Sequence, residues 1–78
     1  MIALDTETWL IGPGRQAPRP VCVQLAREDK PATIYHRTDP KVVPALREAL
    51  EDACIAGQYI AFDMGVIGQE WPELQPAI

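Results

Sequence analysis

Met1–Thr8, MIALDTET, decides how the rest of the chain is read. Ile2, Ala3 and Leu4 form a short apolar run that predicts a strand buried on both faces of a sheet, and the run ends in charge. Side chains alternate across a strand, so Asp5 and Glu7 share a side and present two carboxylates about 7 Å apart along one edge. Two acids so placed repel unless a positive charge lies between them. A hard divalent cation, Mg²⁺ or Mn²⁺, answers that repulsion, because carboxylate sets without His or Cys suit those ions. The same residues also read as solvated side chains in a turn, with Thr6 and Thr8 as capping groups. A bare D-x-E does not separate the two readings, so the remainder of the chain has to.

The 78 residues allow one small domain, and a domain of that size buries only about 60% of the surface its unfolded chain exposes. A hydrophobic share of 47% and a charged share of 23% are those of an ordinary globular chain rather than a disordered one. No apolar run approaches the ~20 residues of a membrane span, and no basic segment followed by an apolar core opens the sequence. A cytoplasmic protein without a membrane partner is expected. Cys22 and Cys54 stand singly in apolar surroundings and are expected to be buried free thiols. The net charge of −4 argues against a nucleic-acid binder that relies on a basic surface. It leaves room for an enzyme whose acids hold metal ions, since the ions reverse the local sign.

Trp9–Pro20, WLIGPGRQAPRP, carries two glycines and three of the eight prolines and reads as a loop that leaves the strand end and returns. Arg15 and Arg19 within it either offer positive charge to a phosphate backbone or are solvated residues of a crossing loop, and Trp9 is a base-stacking or a core aromatic. Val21–Ala26 alternates as a half-buried strand, REDKP turns the chain, and Ala32–His36 returns antiparallel to it. His36, the only histidine, lies at that strand's end without a neighbouring acid or thiol at ligand spacing, which suits a structural residue. Thr38-Asp39-Pro40 signals a helix start, and Pro44 moves the regular helix toward Val42. Val42, Leu46, Ala49, Leu50 and Ala53 then form one apolar stripe that packs on the sheet. Cys54–Gly57 predicts a strand parallel to the first, and a second helix begins near Ile60 and ends at Glu70-Trp71-Pro72. Gly65 and Gly68 weaken it and permit close approach to a sheet or substrate. Trp71 reads as a core or edge aromatic. The last six residues, ELQPAI, carry no assignment.

The order β-β-β-α-β-α predicts an α/β domain in which a mixed sheet carries flanking helices. Functional groups in such sheets gather outside the carboxyl ends of parallel strands, where Asp5 and Glu7 lie. Asp63 falls in the first turn of the second helix and should rise from the same end, so three carboxylates are expected to meet. Taken alone, Asp63 is an acid favoured by the helix dipole.

IALDTET together with IAGQYIAFDMGVI resembles the first and second motifs of the DEDD superfamily of 3′–5′ exonucleases. The likeness is greatest to the proofreading domain of family-A DNA polymerases, especially those of phages. Asp5 and Glu7 match the D-x-E of the first motif. Gly57, Ala61, Phe62 and Asp63 match the second, a phrase of the form G-H-N-x-A-F-D, with Gln58 and Tyr59 in place of the His-Asn pair. The resemblance spans nearly the whole chain and implies an RNase-H-like fold. Family members add a third motif, Tyr-x-x-x-Asp or His-x-x-x-x-Asp, on a later helix, and no aspartate follows Asp63 in these 78 residues. The chain is therefore expected to be the first half of an exonuclease domain, as a fragment or a split gene product.

In the complete enzyme, the resemblance implies two Mg²⁺ or Mn²⁺ ions about 3.5–4 Å apart flanking the scissile phosphate and release of nucleoside monophosphates. It makes Asp5, Glu7 and Asp63 both the catalytic and the metal-binding residues: Asp5 bridges both ions, Glu7 binds one and orients water, and Asp63 supports the second largely through water. Thr6, Thr8, Gln58, Tyr59 and Phe62 become candidate substrate contacts. The implied partners are a single-stranded DNA 3′ end and a polymerase domain in the same or another chain, in a bacterial or phage-infected cell. The isolated chain is expected to have little or no activity. The other readings are a non-catalytic RNase-H-like remnant or binding half-domain that packs on a partner, and an exoribonuclease of the same superfamily.

Overall fold

Strand alternation in the first stretch sets the architecture. The computed structural model describes residues 1–9, 17–51 and 55–78. β1 (Ile2–Thr8) lies between β2 (Pro20–Arg27) and the two-residue β4 (Ile55–Ala56), with β3 (Thr33–His36) outside β2, giving the sheet order β3-β2-β1-β4. β1 pairs antiparallel with β2 and parallel with β4, where Ile2 faces Ile55 and Ala3 faces Ala56. The chain is a small α/β domain with a mixed sheet, and its order of elements follows the expected one. α1 (Val42–Leu50) crosses from β3 toward β4, α2 (Ile60–Glu70) follows β4, and a 3₁₀ helix (Pro72–Ala77) ends the chain.

Ile2, Leu4 and Thr6 are buried, whereas Ala3, Asp5 and Glu7 are exposed. β1 is therefore covered on one face only, and the expectation of a strand buried on both is corrected. The cause is layering. Val42 and Leu46 of α1, Ile67 of α2, and Trp71 and Leu74 at the chain end join Leu4 and Val23 in one core on the even-numbered face of β1. Among the described residues nothing covers the odd face. Register puts Gln24 beside Asp5 and Cys22 beside Glu7, and puts Ile34 and His36 beside those in turn, so all six share the open face.

α1 begins at Val42, as Pro44 requires: a proline in the first turn lacks only an N–H that has no intrahelical partner there. Asp39 supports the approach, its Oδ1 accepting the Lys41 backbone N–H at 2.8 Å. Val42, Leu46 and Ala49 of the predicted stripe are buried and Leu50 is half-buried; Ala53 lies outside the described residues. The terminal 3₁₀ helix was not anticipated. Trp71 and Leu74, three residues apart, anchor it in the core, and Leu74 is fully buried. Cys22 is a free thiol but half-buried rather than buried, since it lies on the open face; Cys54 lies outside the described residues.

Candidate functional site

The period of two in β1 sends Asp5 and Glu7 to the open face and Thr6, between them, into the covered one. α2 runs across that covered face, and its first turn carries Asp63, only 3% exposed. Thr6 Oγ1 donates to Asp63 Oδ1 at 2.6 Å, a buried bond between residues 57 apart in sequence. Burial pushes the Asp63 carboxyl above its ordinary value. Hydrogen bonds from Thr6 oppose that shift, and the negative charge of Asp5 adds to it. The charge of Asp5 thus reaches Asp63 although Asp5 points to the opposite face of β1.

Gly57, between β4 and α2, packs closely against β1. A Cβ there would lie 2.7 Å from the Leu4 carbonyl oxygen, closer than side-chain carbons approach, and 3.6 Å from Asp63 Oδ2. Only glycine lets this segment lie so near β1. Gly57 also lines a groove of about 270 Å³ together with Ala3, Asp5, Gln24 and Gln58. One wall of the Asp5 groove therefore stands beside the second oxygen of Asp63. At the same end of the sheet the β1–β2 register slips between Glu7 and Thr8, so that Glu7 opposes Cys22 but Thr8 opposes Pro20. Such bulges bend a strand and re-aim the side chains next to them.

The expected convergence of three carboxylates is corrected in part. Asp63 meets β1 at the carboxyl end as expected, but on the covered side. Among the described residues no group of three or more His, Cys, Asp or Glu gathers where it could hold a metal ion. The reason is alternation: neighbours of Thr6 in sequence point away from the helix that Thr6 touches. Thr6 is likewise unsuited to substrate contact, being buried and bonded to Asp63. Thr8 is half-buried, while Gln58, Tyr59 and Phe62 are exposed, the last two at 70% and 49%. Trp9 is also exposed, away from the core.

Comparison with family models, with curated proteins and with solved structures returned no significant match. Three carboxylates without imidazole or thiolate fit a hard divalent cation by donor type. The fold keeps them apart: Asp63 is buried on the covered face of β1, whereas Asp5 and Glu7 lie on the open one.

The described residues just before β2 are held by α2. Arg19, expected as a possible phosphate contact, pairs with Glu70 at 3.1 Å, and this partner raises the pKa of its guanidinium. Arg15 lies outside the described residues. The Gln69 side chain was not singled out from sequence, yet it accepts the Ala17 N–H at 3.1 Å and donates to the Ala17 carbonyl at 2.8 Å, as a paired peptide would. Trp9 N–H donates to the Arg19 carbonyl at 2.9 Å, continuing the contact between the end of β1 and the start of β2. His36 has a local role: its Nδ1 lies 2.7 Å from Thr38 Oγ1 and accepts the Thr38 backbone N–H at 3.2 Å. No described helix is long and apolar enough to cross a membrane.

Proposed function

We propose that the chain is the N-terminal part of a metal-dependent 3′–5′ exonuclease of RNase-H-like fold, acting on DNA 3′ ends beside a polymerase domain in the cytoplasm. The observation that carries this reading is a carboxylate on α2, almost fully buried, held against the strand that bears D-x-E. A buried acid whose pKa is raised by desolvation and by a second acid is costly to keep in a domain this small, and such groups cluster at functional sites. Element order supports the same reading, because the two motifs fall on β1 and α2, with the hairpin, α1 and β4 between them.

Asp5, Glu7 and Asp63 would hold Mg²⁺ or Mn²⁺. When bound, such ions supply Lewis-acid stabilisation of a phosphoryl oxygen and a water of lowered pKa. The chain's own part is orientation. β1 fixes the spacing of Asp5 and Glu7, and Thr6 fixes one oxygen of Asp63. Exposed Tyr59 and Phe62 at the start of α2 offer aromatic faces for unstacked bases.

Two measurements test this. In calorimetry with Mn²⁺, wild type should release heat that Asp5→Ala abolishes. With Mg²⁺ and single-stranded DNA, the 78-residue chain should show little or no digestion, because it carries three of the four acids; robust digestion lost in Asp5→Ala would refute that requirement. A second reading is favoured by the uncovered sheet face and by the separation of the acids across β1: an RNase-H-like half-domain that packs on a partner without catalysis. It predicts no carboxylate-dependent heat.

A further inference from the structure

α1 does not fill the space it covers. Val42 and Leu46 pack into the core, but toward the β2–β3 turn the helix presents Ala45 and Ala49, and these short side chains leave a cavity of about 220 Å³ between it and the amino end of β1. Ile2, only 1% exposed, and the half-buried Leu25 line the cavity from the sheet. Register sets Arg27 beside Ile2, and the turn adds Lys30, so an apolar floor carries two cations at its rim. Asp5, Glu7 and Asp63 do not line it. We propose that this cavity binds a small monocarboxylate with a ring or a short branched chain: the apolar body lies between Leu25 and Ala49, and the carboxylate meets Arg27 and Lys30.

Charge and donor supply select the head group. Among the described residues Lys30 has no ion pair, whereas Arg27 Nη2 donates to Glu48 Oε1 at 3.2 Å. That pair is open to solvent, its side chains 44% and 75% exposed, and it uses one nitrogen of a guanidinium whose fork suits a bidentate carboxylate. Exposed pairs of this kind are weakly held, so an incoming carboxylate competes with Glu48 for Arg27. Glu28, in the same turn, is engaged by the Met1 amino group at 3.7 Å. Two cations against one lining acid leave a single positive charge at the mouth, the complement of a monoanion. Size selects the body. Sites for drug-sized ligands run from about 300 Å³ upward, so this smaller one suits a ring or a branched chain of a few carbons. The site lies apart from the acids of β1 and α2 and does not depend on any role given to them.

The experiment titrates the 78-residue chain with benzoate, benzyl alcohol and acetate at pH 7 and low salt, followed by ¹H–¹⁵N NMR. Benzoate should bind with a Kd of roughly 1 mM, as its few non-hydrogen atoms allow, and should move the amides of Ile2, Leu25, Ala45 and Ala49 along one saturation curve. Benzyl alcohol, which lacks the charge, and acetate, which lacks the ring, should each bind at least about fivefold more weakly. Lys30→Gln should weaken benzoate about two- to fivefold, and Glu48→Gln, which frees Arg27, should tighten it about twofold. Ala45→Leu fills the cavity, leaves every charge in place and should abolish saturation. Acetate equal to benzoate, or benzoate binding unchanged in Ala45→Leu, means attraction to surface charge alone and overturns the proposal. Benzyl alcohol equal to benzoate, or no effect of either Lys30→Gln or Glu48→Gln, overturns it by removing the carboxylate, and so does the absence of saturable shifts in wild type. Should Ala45→Leu fail to fold, the two charge variants, both at exposed positions, carry the test.

Discussion

Replacing Thr6 by Val tests the bond on which the α2–β1 packing and the site both depend. The two side chains have nearly the same shape, so the core keeps its volume while the hydroxyl is lost. The bond is 2.6 Å long, buried, and made to a carboxylate, and hydrogen bonds to charged groups contribute about 1.5–3 kcal/mol. Against a total of roughly 4–12 kcal/mol for a chain of 78 residues, that is a large fraction. At about 4–8 °C per kcal/mol for a domain of this size, the melting temperature should fall by about 6–24 °C at pH 7. The sign of the pH dependence follows from the raised pKa of Asp63. A carboxyl that holds its proton more tightly folded than unfolded contributes stability below its unfolded value and loses it as pH rises through the folded one. Without Thr6 the charged form loses its donor, so the deficit of Thr6→Val should be larger at pH 7 than at pH 3. Thermal melts by circular dichroism at both pH values measure it. A fall under about 2 °C at pH 7, or a deficit of equal size at both, would refute the reasoning.

Asp63→Asn keeps an acceptor for Thr6 but removes the buried charge, so it should be more stable than wild type at pH 7; the gain should shrink to nothing by pH 3, as urea denaturation would show, and a loss of stability at pH 7 counts against burial as the main cause of the shift. Gly57→Ala forces a carbon to 2.7 Å from the Leu4 carbonyl and should cost about 1–3 kcal/mol, read from the denaturation midpoint. Gln69→Ala removes both bonds to the Ala17 backbone and should cost about 1–3 kcal/mol, read from the urea midpoint. Arg19→Ala breaks an exposed pair with Glu70 and should leave the melting temperature almost unchanged, most closely so in high salt.

Much of the architecture was legible in the residues because it is local. The polar run Arg27–Pro31 marked the hairpin turn between β2 and β3, period two marked β2, and the spacing of Val42, Leu46 and Ala49 marked α1. Pro44 placed the helix start within the residue. The short run ELQPAI was not legible, since Leu74 is recognised as core only once Trp71 and α1 surround it. The Gln69 clasp on Ala17 was equally hidden, because a glutamine in a helix carries no mark of the backbone it will meet.

The candidate site divides along the same line. Alternation alone determined that Asp5 and Glu7 share one side of a strand, and helix periodicity alone placed Asp63 in a first turn. Which face of β1 would receive α2 was decided only in three dimensions, by where Leu4, Val23 and Ile67 could be buried together. A strand has two faces and a single core can cover one of them. Burying the even face committed Thr6, rather than its acidic neighbours, to Asp63, and left Asp5 and Glu7 on the opposite, open face.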